Sequence, residues 1–187
     1  MARIRSFIAL PSSPDLNFRL IEIQRQLNEE QANVKWDTPD KFHITLKFLG
    51  DVDSEDIPEL VDSLTIATSA LSSFQLVYDS IGAFPDLIHP KVIWAGARMS
   101  EGLVTLQREV DSVCARLGYP KENRPFHPHI TLGRVKGSTN LNRLTARVKS
   151  SIFDPTTIHC PEILLIKSDL HPAGSVYTTL KIFPLKA

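Results

Sequence analysis

The sequence predicts an α+β fold in a single domain spanning residues 1–187. The hydrophobic pattern alternates between a two-residue period, typical of strands, and a period of three to four residues, typical of amphipathic helices. The chain has 187 residues, of which 42% are hydrophobic and 22% charged, and this size and composition suit one folded domain. No low-complexity linker divides the sequence.

The first half of the chain predicts two strands, each followed by a helix. Ser13 can cap a helix that starts at Pro14, because serine accepts a hydrogen bond from the first turn and proline is favoured there. Pro58 is tolerated in the first turn of the second helix for a similar reason. The predicted elements are a strand over residues 4–10, a helix with Leu16, Leu20, Ile23 and Leu27 on its inner face, a strand over 42–49 and a helix over 54–70.

The second half repeats this alternation and closes with a pair of strands. Gly118 is well placed to end a helix, because glycine readily adopts the left-handed backbone found there. The predicted elements are strands over residues 74–81 and 91–97, a helix over 101–117, a strand over 128–135, a short helix over 141–148, and strands over 162–169 and 176–183. Residues 171–174 read as the hairpin turn between the last two strands.

Charge and cysteine content exclude several classes of protein. Lys and Arg together number 21, as do Asp and Glu, and a net charge of zero argues against non-specific coating of nucleic acid. The two cysteines form no CxxC pair, so we expect neither a disulfide framework nor a structural zinc site. No targeting segment or membrane-spanning stretch is visible. These features predict a cytoplasmic monomer with no obligate protein partner.

A repeated tetrapeptide carries the strongest functional signal. The sequence HITL occurs at residues 43–46 and again at residues 129–132, in both cases within a predicted strand. Because side chains alternate along a strand, the histidine and threonine of each copy share one face, about 6.6 Å apart. If the copies face each other across a pseudo-two-fold axis, two imidazoles and two hydroxyls converge on one cleft.

Such a cleft suits phosphodiester cleavage by an acid and a base, with no metal or other cofactor. Histidine titrates near pH 6.5, so a neutral His129 or His43 can take a proton from water while the other, charged ring gives one to the leaving oxygen. Thr45 and Thr131 can donate hydrogen bonds to phosphate oxygens, whose charge grows in the transition state. We expect a bell-shaped pH–rate profile with limbs on either side of neutrality.

The two copies and their surroundings resemble a known family. A His-x-Thr-Leu sequence occurring twice is similar to the signature of the two-histidine (2H) phosphoesterases, and the surroundings resemble their RNA 2′,3′-cyclic phosphodiesterase branch, also called 2′-5′ RNA ligases. The matching stretches are residues 5–10, 36–52 (WDTPDKFHITLKFLGDV), 92–96, 124–134 (RPFHPHITLGR) and 177–183. The resemblance implies a bilobal, pseudo-two-fold fold with two antiparallel sheets facing a central cleft and helices on the outside.

The resemblance also implies the reaction and the roles of individual residues. It implies hydrolysis of RNA 2′,3′-cyclic phosphate ends to 2′-phosphates, with His43 as the proton donor to the departing 3′ oxygen and His129 as the proton acceptor. A weak reverse 2′-5′ ligation is also implied. The expected substrates are RNA 3′ ends or small 2′,3′-cyclic nucleotides. Thr45 and Thr131 correspond to the phosphate ligands of the family, and Arg134 to a basic residue found just after its second motif.

Two basic residues beside the motifs are candidates for phosphate contacts. Strict alternation places Arg134 on the face opposite His129, so Arg134 reaches the cleft only if the strand ends or bulges near Gly133. Lys47 has the parity of His43, which predicts either a phosphate contact or a solvated lysine at the end of the strand.

A terminal nucleotide also needs a surface for its base, and single-stranded RNA ends are commonly held by stacking on aromatic rings. Phe48 has the parity of Ile44 and Trp94 lies in an apolar strand, so both are assigned to the core. The remaining stacking candidates, each of which could also belong to the core, are Phe7, Trp36, Phe126 and Tyr177.

Two other functions stay open on the residues alone. A module that only binds nucleotides or RNA ends could use the same cleft, although binding has little need of two titrating rings. A metal-dependent phosphodiesterase could use His43, His127 and His129, since histidines at i and i+2 can share a strand face. Pro128 argues against this arrangement, because proline is a poor central-strand residue.

Overall fold

The computed structural model describes residues 2–172 and 174–187 and confirms the α+β class. The elements in chain order are β1 (Arg3–Pro11), α1 (Pro14–Asn28), β2 (Val34–Trp36), a 3₁₀ turn (Pro39–Lys41), β3 (His43–Asp53), α2 (Ile57–Ser69), β4 (Phe74–Phe84), β5 (Val92–Ala97), α3 (Glu101–Arg116), β6 (His129–Val135), α4 (Leu141–Ser150), β7 (Thr156–Cys160), β8 (Glu162–Asp169) and β9 (Val176–Pro184).

Two of the helices begin at serine caps. The Ser13 hydroxyl accepts a hydrogen bond from the Leu16 N–H at 3.2 Å, at the start of α1. Ser100 caps α3 in the same way, with the Leu103 N–H at 3.3 Å. Gly118, just beyond α3, has a φ of +87°, a backbone conformation that glycine adopts without strain. These local signals explain why the predicted helix boundaries lie close to the observed ones.

Two short strands, β2 and β7, were not predicted. β2 has three residues and pairs with β6, and β7 has five residues and pairs with β4. Segments this short show too little alternation for periodicity to identify them. The predicted antiparallel pairing of the last two strands is confirmed; of the turn predicted at residues 171–174, Ala173 lies outside the described residues.

The nine strands form one antiparallel sheet that curls into a half-barrel, where the resemblance implied two sheets. The strand order is β7-β4-β5-β6-β3-β1-β8-β9, with β2 also paired to β6. The halves β7-β4-β5-β6 and β3-β1-β8-β9 join where Ile44 of β3 pairs with Ile130 of β6. The inner edges of the halves hydrogen-bond to each other, because an unpaired strand edge readily accepts another strand.

The main core lies between the helices and one face of this sheet. The apolar residues of both HITL copies, such as Ile44 and Leu132, are buried there together with Leu20 of α1 and Leu106 of α3. This core runs through both halves of the sheet. None of the helices in the described part of the chain is long and apolar enough to cross a membrane.

Candidate active site

The sheet face opposite the main core forms a cleft of about 850 Å³, and both motif histidines and both motif threonines line it. The pairing of Ile44 with Ile130 is the cause. Because the two strands run antiparallel, this register places each motif histidine beside the threonine of the other motif, on the same face. The structure therefore brings His43 and His129 into one site, although 86 positions separate them in the sequence.

Each imidazole is held by the backbone two residues earlier. Nδ1 of His129 lies 2.6 Å from the carbonyl oxygen of His127. A carbonyl only accepts hydrogen bonds, so Nδ1 carries the proton and Nε2 is left for proton transfer. His43 makes a corresponding hydrogen bond to the backbone of Lys41. The repeated sequence thus produces the same local ring geometry twice.

Aromatic rings surround both histidines and exclude water from one side of each imidazole. Phe84 meets His129 edge-on, with ring centroids 4.8 Å apart. Phe7 and Tyr177 lie 4.9 and 5.6 Å from His43, and Trp94 lies 6.4 Å from His129. Both motif histidines therefore have aromatic neighbours, in addition to the identical residues of the two motifs.

Trp94 is half-buried on the cleft face, so its assignment to the core was wrong. It pairs with Thr131 across β5 and β6, and therefore shares the face of that threonine. The indole occupies space left by two glycines: a Cβ at Gly82 would come within 2.3 Å of the ring, and one at Gly96 within 2.8 Å. An apolar strand sequence cannot show which side of the sheet a helix layer covers.

Burial lowers the pKa of both imidazoles. The pKa of His43 falls to about 4, mainly because burial disfavours the charged ring and partly because of repulsion by His129. Burial also lowers the pKa of His129, and the nearby charges of His127 and Arg134 act in the same direction. At neutral pH both rings are therefore neutral in the protein without a ligand, and an anion in the cleft would favour protonation of either.

A β-bulge in each motif changes which residues reach the cleft. In β3 the register with β1 passes from Thr45 to Lys47, so that Leu46 is the extra residue. In β6 the register with β5 skips Leu132 in the same way. An extra residue reverses the facing of the side chains that follow it. Directly beyond each bulge, strict alternation therefore assigns side chains to the wrong face, and in β3 a second register shift at Leu49 restores the alternation.

The bulge in β3 contradicts the solvated alternative for Lys47 and the core assignment of Phe48. Lys47 is only 5% exposed, its Nζ lies 2.6 Å from Oδ1 of Asp111 on α3, and it also donates to the carbonyl of Pro120. Its ammonium group is therefore paired inside the protein. Phe48 is 66% exposed and lines the cleft, with its ring 6.1 Å from that of Phe7. A bulge leaves no mark in the hydrophobic pattern.

The bulge in β6 brings Arg134 to the cleft, so the condition that the sequence set for this residue is met. Gly133 faces the other way, where a Cβ would come within 2.7 Å of the Trp36 ring. Gln24, buried on α1, supports the bulge, because its Nε2 donates to the carbonyl oxygen of Leu132 at 2.8 Å. A buried amide thus satisfies a backbone group that the regular ladder leaves free.

Three of the four predicted stacking residues line the cleft, namely Phe7, Phe126 and Tyr177. Trp36 does not: it packs against the main core, and its Nε1 donates to Oδ1 of Asn28 at 2.9 Å. Sequence reasoning missed several cleft residues on loops and strand ends, namely Lys41, Asp37, Phe84 and Lys91. Alignment of the two motif copies could have found Lys41, because it lies two residues before His43, as His127 lies two residues before His129.

His127 lies just before β6, as Pro128 suggested, and its ring is 6.2 Å from that of Phe84. Among the residues that the structure describes, no three or more His, Cys, Asp or Glu side chains are close enough together to hold a metal ion.

An α+β fold in which two neighbouring strands of one antiparallel sheet each present a His-x-Thr motif to the same cleft defines the two-histidine class of phosphoesterases. The chain belongs to the LigT-like phosphoesterase family, which matches it over residues 10–94 and 97–177.

Similar proteins cover the chain almost completely. It is 30% identical over 184 residues to the RNA 2′,3′-cyclic phosphodiesterase of Methanothermobacter thermautotrophicus, a match that covers 98% of this chain and 100% of the relative. It is 31% identical over 191 residues to the protein of the same name from Aquifex aeolicus, covering 99% of each.

Solved structures show the same agreement in three dimensions. TT0787 of Thermus thermophilus has a TM-score of 0.82 at 26% identity, covering 98% of both chains. LigT of E. coli, in its complex with 3′-AMP, has a TM-score of 0.78 at 28% identity, covering 100% of both chains.

Proposed function

We propose that this protein hydrolyses 2′,3′-cyclic phosphates, at RNA 3′ ends or in small cyclic nucleotides, and leaves the phosphate on the 2′ oxygen. The observation that carries the proposal is the convergence of the two HITL copies on one cleft at the Ile44–Ile130 pair. Two imidazoles and two hydroxyls on one face provide a proton acceptor, a proton donor and hydrogen bonds for a phosphate group. The names of the Methanothermobacter and Aquifex relatives support this substrate class.

In the proposed mechanism, Nε2 of His129 accepts a proton from a water molecule while the water oxygen attacks phosphorus. The bond between phosphorus and the 3′ oxygen breaks, and His43 protonates that oxygen as it leaves. Thr45 and Thr131 donate hydrogen bonds to the non-bridging oxygens, whose negative charge grows in the transition state. Proton exchange with solvent then restores a neutral His129, and His43 takes up a proton again when the next phosphate anion binds beside it.

The charges of the cleft favour an anionic substrate. Arg134 lines the cleft, and three more cations lie on its walls, the half-buried Lys41 and the exposed Lys91 and Arg124. Two carboxylates, Asp37 and Glu122, oppose them. A bound phosphate anion beside His43 stabilises the imidazolium and raises its pKa from the value of about 4 that burial imposes. The substrate thereby supplies the charge that makes its own general acid available.

The same step performed with a 5′-hydroxyl in place of water joins two RNA ends through a 2′-5′ linkage. This is the weak ligation that accompanies the proposed hydrolysis, and it requires no further residue.

Replacement of either histidine tests the assignment. We expect His43→Ala and His129→Ala each to lower the rate of cyclic-phosphate hydrolysis by about 10²–10⁴ because a proton-transfer group is lost. His159→Ala is the matched control, since His159 is exposed on the outer strand β7 and should keep the parent rate.

Product analysis on an oligonucleotide with a 2′,3′-cyclic phosphate end then shows which ribose oxygen keeps the phosphate. A 3′-phosphate product contradicts the assigned direction. Rates within threefold of the parent for both variants contradict the catalytic pair. Nucleotide binding without turnover points to a binding module instead.

Removal of metal ions tests the remaining alternative. We expect dialysis against a chelator to leave the hydrolysis rate unchanged, because the proposed mechanism uses only protein groups and water. Loss of activity that zinc or manganese restores would point to a metal site involving His43, His127 and His129.

A further inference from the structure

One wall of the cleft is formed by an irregular segment, residues 120–126, which lies between α3 and β6. It contains no helix or strand, and all of its residues except Phe126 are exposed. Four of its residues line the cleft, namely Glu122, Arg124, Pro125 and Phe126. Its position therefore depends on contacts with neighbouring elements.

Phe126 packs against the main core, and the hydrogen bonds of the segment converge on one ion pair. Within the described part of the chain, the hydrogen bonds from this segment to other elements all involve Lys47 of β3 or Asp111 of α3. Lys47 Nζ lies 2.6 Å from Asp111 Oδ1 and donates to the carbonyl of Pro120. The same carboxylate oxygen accepts the Glu122 backbone N–H at 3.4 Å. The pair thus ties the segment to a strand and a helix at once.

The Lys47–Asp111 pair belongs to the first motif only, because the equivalent position of the second motif is Gly133. Lys47 and Gly133 follow the bulges at equivalent positions of the two motifs. Gly133 is covered by the side chains of Trp36 and Val34. Lys47 instead carries a charge into a buried position, which requires a close counter-ion. Removing Asp111 would therefore leave the buried Lys47 charge without its counter-ion.

We propose that the Lys47–Asp111 pair positions residues 120–126 over the cleft and thereby sets the affinity for the nucleotides that precede the terminal cyclic phosphate. The proposal rests on the function proposed above and makes Lys47 and Asp111 positioning residues. Arg124 and Phe126 supply a guanidinium and an aromatic ring, the groups that bind phosphates and unstacked bases of single-stranded RNA. The substrate class that this wall favours is an oligonucleotide rather than a single cyclic nucleotide.

The test replaces both charges together, as Lys47→Met with Asp111→Leu, because apolar residues of similar volume can replace a buried ion pair without loss of stability. For a hexanucleotide with a 2′,3′-cyclic phosphate end we expect KM to rise about tenfold and kcat to stay within threefold. For 2′,3′-cyclic AMP both constants stay within threefold. Arg98→Met, which breaks the Arg98–Asp79 pair outside the cleft, is the matched control and should change neither.

A second readout does not depend on catalysis. Trypsin cleavage after Lys121 should be faster in the double variant and unchanged in the control, because release of the segment exposes its backbone to the protease. Asp111→Asn keeps an acceptor for Lys47 and should give a smaller rise in KM in the same direction, which also covers a failure of the double variant to fold.

An unchanged KM for the hexanucleotide, an equal rise for both substrates, or an unchanged cleavage rate overturns the inference. If the parent protein turns over neither substrate, the proposed function fails, while the trypsin rate still decides whether the pair holds the segment.

Discussion

His43 illustrates how strongly a single residue is changed by its surroundings. A solvent-exposed histidine titrates near 6.5, but the rings of Phe7 and Tyr177 and the neighbouring His129 surround this one, and burial lowers its pKa to about 4. A general acid must be protonated before it acts. The pH dependence of the proposed reaction therefore depends on whether the cleft already holds a phosphate anion.

We predict that the optimum of kcat/KM lies below pH 6.5 and that the optimum of kcat lies at higher pH. The kcat/KM profile reports the free protein, in which burial lowers the pKa of both imidazoles, so the limbs of the bell move to the acid side. The kcat profile reports the complex, in which the phosphate anion raises these pKa values. Steady-state kinetics with a 2′,3′-cyclic nucleotide from pH 4 to pH 9 measure both, and coincident optima at pH 7 or above would contradict the argument.

At the scale of the element, the extra residue within each motif determines which side chains line the cleft. The equivalent sequences HITLKF and HITLGR both bulge at the leucine, so their last residues, Phe48 and Arg134, face the cleft. The lysine pairs with Asp111 on α3, and the glycine turns toward Trp36. Motifs that are symmetric in histidine and threonine thus place an aromatic ring at one position of the cleft and a guanidinium at the equivalent one.

We predict that Phe48→Ala raises KM for cyclic nucleotides about tenfold and changes kcat little, because base–aromatic stacking contributes about 1–3 kcal/mol. Stability should be nearly unchanged, since the side chain is 66% exposed. Steady-state kinetics and thermal melting measure the two effects. Phe18→Ala, at a similarly exposed position on α1, is the control and should leave KM unaltered. A KM for Phe48→Ala equal to that of the control would show that Phe48 does not contact the base.

At the scale of the whole molecule, the two halves of the sheet depend on each other. The structure gives one pairing between β3 and β6, at Ile44 and Ile130, while one hydrophobic core passes through both halves and all four helices. The expectation of one domain made of two pseudo-symmetric lobes stays a prediction, as does the monomeric state, and both can be tested by unfolding.

We predict one cooperative unfolding transition in urea. Because both halves bury their apolar residues in the same core, neither half can unfold without exposing that core. Tryptophan fluorescence, which reports on β2 and β5 through Trp36 and Trp94, should give the same midpoint as far-UV circular dichroism, which reports on the whole chain. The midpoint should not vary with protein concentration if the protein is a monomer. Two separated midpoints would indicate two independent domains.

The sequence by itself was sufficient for the α+β class, most helices and strands, and the shared face of histidine and threonine in each motif. Caps, turns and alternation are local: each is encoded within a few residues, so the sequence displays it directly. Only the tertiary structure decided that the sheet is continuous, that Arg134 and Phe48 face the cleft while Lys47 pairs with Asp111, and that burial lowers the pKa of His43. These features arise from strand register and from neighbours tens of residues away, and no local pattern records such contacts.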